Sequence, residues 1–414
     1  MVGLCEGFNP SRRALMVGGG ALFSWAYMPK FANAADGRDP RLIVLILRGA
    51  LDGLSAVGPA GDPQYAALHG QIALTKDGPH AGLPLDGFFL LNPAMQNFAR
   101  LYHQGEAAIV HATATGYRER SHFDGQDVLQ SGLPGVGSIK SGWLNRAFAA
   151  LPKGDKVQPM HALGVGVQTP LVLRGPADVL GWAPQGMPEA GNDLASRLLD
   201  LYTHTDPMLA KALEEGLNIN TLAKNQGLMS GPNAKPQGGS DNPAGMRQSA
   251  RGAAKLMAAD DGPRIAAMAF DGWDTHVNEG GATGRLAFLL GGLDGAFAEF
   301  EQGLGAHWKN TAIVAVTEFG RTARINGTTG TDHGTATVAF LAGGAVKGGR
   351  VIADWPGLAD SQLYQNRDLK PTTDVRSVLK GLLADQFGLS AKVLADQIFP
   401  GSGTIAPMKG LISA

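Results

Sequence analysis

"RLIVLILRG" at residues 41–49 is an unbroken run of Ile, Val and Leu that closes on a glycine. A strand with one wet face alternates apolar and polar residues, whereas a strand covered on both faces does not need to. The run therefore predicts the interior of a parallel sheet. "AAIVHATA" (107–114), "PRIAAMAF" (263–270), "TAIVAVTEFG" (311–320) and "ATVAFLAGG" (336–344) repeat the form, and helical patterns lie at 95–105, 123–132, 194–204, 246–260 and 284–304. Strands alternating with helices predict a three-layer α/β/α sandwich around a mostly parallel central sheet. The Gly-, Pro- and Asn-rich stretch 223–245 has no period and reads as a long surface loop within that single domain, 35–414.

Ahead of the domain, residues 1–34 read as an export signal. Arg12 and Arg13 precede a short apolar run diluted by Gly18–Gly20, and a small-residue exit follows at Ala32-Asn33-Ala34. The run is too short for a membrane span. "SRRALM" resembles the twin-arginine signal, which predicts a periplasmic or otherwise exported protein with no stable membrane insertion. Cleavage would remove Cys5, the only cysteine, so neither disulfides nor thiolate chemistry are expected in the mature chain. The net charge of −1 gives no reason to expect a nucleic-acid partner.

Ligands of open parallel sheets bind beyond the carboxyl ends of the strands. After the first strand comes Asp52, in "ALDGL". After the second come Arg118, Arg120, Ser121 and His122, and after the third, in "DGWDTH", Asp271, Asp274 and His276. The fourth is followed by Glu318 and Arg321, in "EFGRT". Asp332 and His333, in "GTDHG", precede the fifth strand, so they would need a loop folding back over the same edge. With thiolates excluded, oxygen and imidazole donors point to Zn, Mg, Mn or Ca. Ser121 suits a nucleophile at a helix N-terminus, where amide groups and the dipole favour an anion. Arg118, Arg120 or Arg321 could hold anionic oxygens.

Each residue also has an ordinary reading. Ser121 with Asp124 could form a capping box, Asp52 could be a turn residue, and Glu318 could pair with Arg321. His69, His80, His103, His161, His204 and His307 stand in contexts that read as surface or core. Five segments meeting at one sheet edge favour a joint site.

"SRRALM", "RGALDGLSAV", "RSHFDGQDVLQSG", "GWDTH", "TEFGRT", "NGTTGTDHGTATVAFLAGGAVKGG" and "TTDVRSVL" together resemble the exported family known as domain of unknown function 1501. That family is grouped with the alkaline phosphatase/sulfatase superfamily. The resemblance implies a metal-dependent hydrolase of phosphate or sulfate esters holding one or two divalent ions, Zn foremost. It implies metal roles for Asp52, Asp274, His276, Glu318, Asp332 and His333, with Ser121 as nucleophile and His122 and Arg321 beside it. The pattern departs at Phe319, where the superfamily has a histidine, so a complete two-metal site is not implied. The expected substrate is a small-molecule or saccharide ester. The alternative is a non-catalytic metal-containing protein that binds an envelope saccharide or an exported partner protein. The first strand ends in "RGALDG", which lacks the spacing of a dinucleotide-binding turn.

Overall fold

The computed structural model describes residues 39–151, 161–184, 192–226, 228 and 239–413. The export signal expected at 1–34 lies outside them, as do residues 227 and 229–238 of the stretch 223–245. Asp39–Ala414 forms one compact unit. Among the described residues no helix is long and apolar enough to cross a membrane.

The central sheet contains nine strands: β1 (Arg41–Leu47), β2 (Ala107–Ala114), β3 (Ala162–Val165), β4 (Val179–Trp182), β5 (Ile265–Phe270), β6 (Thr311–Thr317), β7 (Thr337–Ala342), β8 (Arg350–Ile352) and β9 (Thr373–Asp374). Their order is β8-β2-β7-β6-β1-β5-β3-β4, with β9 also pairing with β2. β1 sits between β5 and β6, parallel to both, with Leu42 opposite Ile265 and Arg41 opposite Thr311.

Burial of β1 on both faces explains its unbroken apolar sequence. Ile43, Leu45 and Leu47 enter one core with Phe98, Met246, Phe297 and Phe300. Leu42, Val44 and Ile46 enter the other with Leu144, Leu379 and Leu382. The first core is covered by α2 (Gln96–His103), α6 (Pro207–Asn225), α7 (Pro243–Ala258) and α8 (Arg285–Leu304). The second is covered by α3 (His122–Ser131), α4 (Trp143–Ala150) and α9 (Val375–Phe387). The remaining labelled helices are α1 (Gly53–Ala56) and α5 (Asn192–Thr205). Each fully buried aliphatic side chain stabilises the fold by roughly 1.5–3 kcal/mol, so the three layers follow from this alternation.

Two expectations change. The segment 223–245 is not one loop: α6 continues to Asn225, and α7 begins at Pro243 behind Asn242, whose side chain accepts from the Gly245 amide. And no loop has to fold back to deliver Asp332 and His333. β7 runs antiparallel to both β6 and β2, so its beginning already lies at the carboxyl edge of its neighbours. Past that edge the chain continues as a ribbon: Thr322 N donates to Asp332 O at 2.9 Å, Gly334 N to Gly320 O at 2.8 Å, and Arg321 bridges His333.

Candidate metal centre

Three segments deliver side chains to one region above this edge. His122 opens α3, Asp274 and His276 follow β5, and His333 precedes β7. Gly49, just after β1, lets the β5 loop approach. It sits at φ +122°, and a Cβ there would lie 2.5 Å from the Asp274 amide nitrogen.

Two imidazoles turn Nε2 toward that of His333. His333 Nε2 is 2.9 Å from His122 Nε2 and 3.0 Å from His276 Nε2. Asp274 completes the group: Oδ1 is 3.0 Å from His276 Nε2 and 3.3 Å from His333 Nε2, and Oδ2 is 3.4 Å from His122 Nε2. Donors bound at 2.0–2.1 Å to a tetrahedral ion lie about 3.4 Å apart, close to this spacing.

The far side of each ring fixes its tautomer. His333 Nδ1 donates to the Arg120 carbonyl at 3.0 Å, His122 Nδ1 to Glu318 Oε1 at 2.8 Å, and His276 Nδ1 to Asp332 Oδ1 at 3.2 Å. Carbonyls and carboxylates only accept, so each neutral ring carries its proton on Nδ1 and presents a bare lone pair at Nε2. Lone pairs turned on one another repel unless a proton or a cation lies between them. A carbonyl or carboxylate behind each imidazole is the usual support of a metal-ligating histidine. The donor atoms of His122, Asp274 and His333 lie within 4.8 Å of one another and fit a borderline divalent ion, with His276 beside them against His333 and Asp274.

Without a cation, a proton takes that place at His122. Hydrogen bonds to Asp274 and then to Glu318 push the His122 imidazole up to about 9. Burial opposes the charge on Asp274, but hydrogen bonds from His122, His333 and Arg321 outweigh it and hold the carboxyl below its usual range.

Other expected site residues fall elsewhere. Glu318 and Asp332 stand behind His122 and His276, not among the converging donors. Glu318 is fully buried and also accepts from Gly49 N at 2.9 Å and Thr317 Oγ1 at 3.0 Å. Arg321 is buried too. Its Nη1 donates to Asp274 Oδ1 at 2.6 Å, and Nε and Nη2 are spent on Thr331, so it positions Asp274. Arg118 bonds the carbonyls of Thr115 and Tyr117, and Arg120 bonds Asp368, so those guanidiniums are also committed. Ser121 is the N-cap of α3 without making a side-chain cap hydrogen bond, and Asp124 takes the Tyr117 hydroxyl instead. The capping box does not form, and the Ser121 hydroxyl stands next to His122. Phe319 stacks on the His122 ring with centroids 5.1 Å apart.

Asp52 is not brought to the centre. It is 1% exposed, caps Leu54 N at 2.9 Å and pairs with His69 Nε2 at 3.1 Å. His69, read from sequence as a surface or core histidine, is a fully buried one. Burial opposes its charge, but Asp52 raises its pKa nonetheless, while His69 keeps Asp52 low against the same burial. Glu279 joins this second cluster, accepting from Thr331 Oγ1 at 2.6 Å; burial and then the Asp52 charge push its carboxyl well up. No sequence signal marked Glu279, which lies in an ordinary "VNEGG" turn.

Residues 39–398 match the family described as "Protein of unknown function (DUF1501)". The chain belongs to that family. No curated protein matches it. Among solved structures, this DUF1501 chain is similar to Ps i-CgsB in complex with k-i-k-neocarrahexaose, at 10% identity and TM-score 0.42, over 89% of this chain and 76% of that one. It is also similar to a TAB5 alkaline phosphatase mutant with Mg bound in its M3 site, at 13% identity and TM-score 0.32, over 76% and 95%. A third is the phosphonate monoester hydrolase of Agrobacterium radiobacter, at 12% identity and TM-score 0.31, over 85% and 74%.

Proposed function

We propose that this protein is an exported metal-dependent hydrolase of phosphate or sulfate esters. The observation that carries the reading is the convergence of three Nε2 lone pairs on the Asp274 carboxylate. A divalent ion there would supply Lewis acidity toward an anionic ester oxygen. The chain's own part is positional. Glu318, Asp332 and the Arg120 carbonyl orient the imidazoles, Arg321 holds Asp274, and the first turn of α3 offers amides and the positive end of its dipole to an anion. Ser121 Oγ would bond to phosphorus or sulfur as the ester oxygen leaves with the serine proton. Water would then cleave the seryl ester and restore the hydroxyl.

Metal analysis of the purified protein, together with a panel of phosphate and sulfate monoesters and diesters, tests this. The expected result is one divalent ion per chain and turnover that Ser121→Ala abolishes. Absence of a metal, or turnover indifferent to Ser121, would overturn it.

A second reading is a non-catalytic metal-containing binding protein, and two observations favour it. With His276 beside the three grouped donors, the chain itself could fill the positions around an ion, as in structural sites, whereas catalytic sites keep a position open. Phe123 and Val277, immediately after His122 and His276, are 91% and 58% exposed, giving the centre an apolar rim suited to a partner protein. Full metal occupancy without turnover of any ester would select this reading.

A further inference from the structure

A second concave site lies along the same sheet edge, on the β1-β5-β3 side. It has a volume of about 400 Å³, within the range of small-ligand sites. Its floor includes Val165 and Met268, at or near the ends of β3 and β5, and its polar wall includes Gln168, Ser240, Gln248 and Ser249. Arg48 and Asp271, which follow β1 and β5, also line it.

The chemistry of the lining narrows the ligand. One guanidinium and one carboxylate leave the wall without net charge, unlike a cradle for a free phosphate. Arg48 Nη1 and Asp271 Oδ1 stand 3.8 Å apart, too far for a hydrogen bond, and Arg48 Nε is buried without a partner. Amides and hydroxyls both donate and accept, which suits a ligand dense in hydroxyl groups. The apolar floor suits the C–H face of a ring.

The pocket is tied to the metal centre through a single loop. Asp271 lines the pocket while Asp274 and His276 face the ion site, and three residues span at most about 11 Å between Cα atoms. Trp273 between them is fully buried and donates to the Phe270 carbonyl at 3.0 Å, so the loop holds its shape.

We propose that this pocket binds a neutral polyhydroxylated ring, a sugar residue, as the alcohol part of the ester whose anionic group lies at the metal centre. The ester assignment rests on the hydrolase reading; binding of the ring does not. Saturation-transfer NMR with a panel of methyl glycosides of hexoses, pentoses and N-acetylhexosamines tests it. The expected result is transfer to at least one glycoside, weakened at least tenfold by the double variant Gln168→Ala/Gln248→Ala and retained in His333→Ala. If the double variant does not fold, judged by its melting curve, Arg48→Gln is read in the same way. No transfer at millimolar glycoside, or transfer unchanged by these variants, overturns the proposal even if aryl phosphates are turned over. Glycoside binding that maps to the pocket in a protein without metal or turnover upholds the pocket and overturns the hydrolase reading instead.

Discussion

His333 Nδ1 donates to the carbonyl of Arg120, a residue held in the left-handed region at φ +59°. Such a backbone costs a non-glycine residue of order 1 kcal/mol and persists only where its surroundings fix it. Here Asp368 accepts from Arg120 Nε at 3.1 Å and Nη2 at 2.8 Å. The strain thus aims a carbonyl at the imidazole and sends His333 Nε2 toward the ion site.

The supporting carboxylates should tune affinity without supplying donors. Glu318→Gln and Asp332→Asn are each expected to bind the ion 10–100-fold more weakly, at unchanged stoichiometry when saturated. Asp274→Ala and His333→Ala should lose it at any practical concentration. Competition against a chromophoric chelator measures both.

Metal uptake should release a proton. The His122 pKa, raised to about 9 by Asp274 and then Glu318, means that below that pH a cation must displace the proton from Nε2. Apparent affinity should rise about tenfold per pH unit toward 9 and level off above it. Calorimetric titration in buffers of different ionisation enthalpy counts the proton directly.

The Asp52–His69 pair should matter for stability rather than for the ion. Removing one partner of a buried ion pair costs about 3–5 kcal/mol, so Asp52→Asn should lower the melting temperature while leaving metal stoichiometry intact. Asp52 is depressed from 3.8, so its contribution is full above that pH and fades with acid. His69 is raised from 6.5, so its contribution is full below that pH and fades as pH rises through the folded value. The difference between wild type and variant should be greatest between these limits.

His111 predicts an acid limit. It is fully buried between Phe89 and Trp355, and burial lowers it from 6.5 to about 4. A depressed base stabilises the fold fully above 6.5. That contribution, roughly 3 kcal/mol, should be lost as pH falls from 6.5 to 4. Urea unfolding across this range should show the loss in wild type and a smaller one in His111→Phe.

The long elements were legible because their burial is uniform. The run at 107–114 matches β2 in full, and the helical pattern at 284–304 matches α8 to one residue. β3 and β4 were not visible: each is four residues long and contains a glycine, too short for any period to show. α6 was hidden because only its neighbour carried a clean pattern. At the site, the edge was readable from the residues that follow each apolar run. Which acids touch the centre was not, because Glu318, Asp332 and Asp274 differ only in where tertiary packing turns them. His69 and Glu279 found their partner in Asp52 only once distant segments met.

The placement of β1 sets a timetable for the molecule. It is the first strand of the domain to be synthesised, yet the residues it pairs with begin at Ile265 and Thr311, so it stays without neighbours until most of the chain exists. Pairings this remote are slow to form. Side chains drawn from residues 122 to 333 cannot come together sooner, so the candidate site is complete only once most of the chain exists.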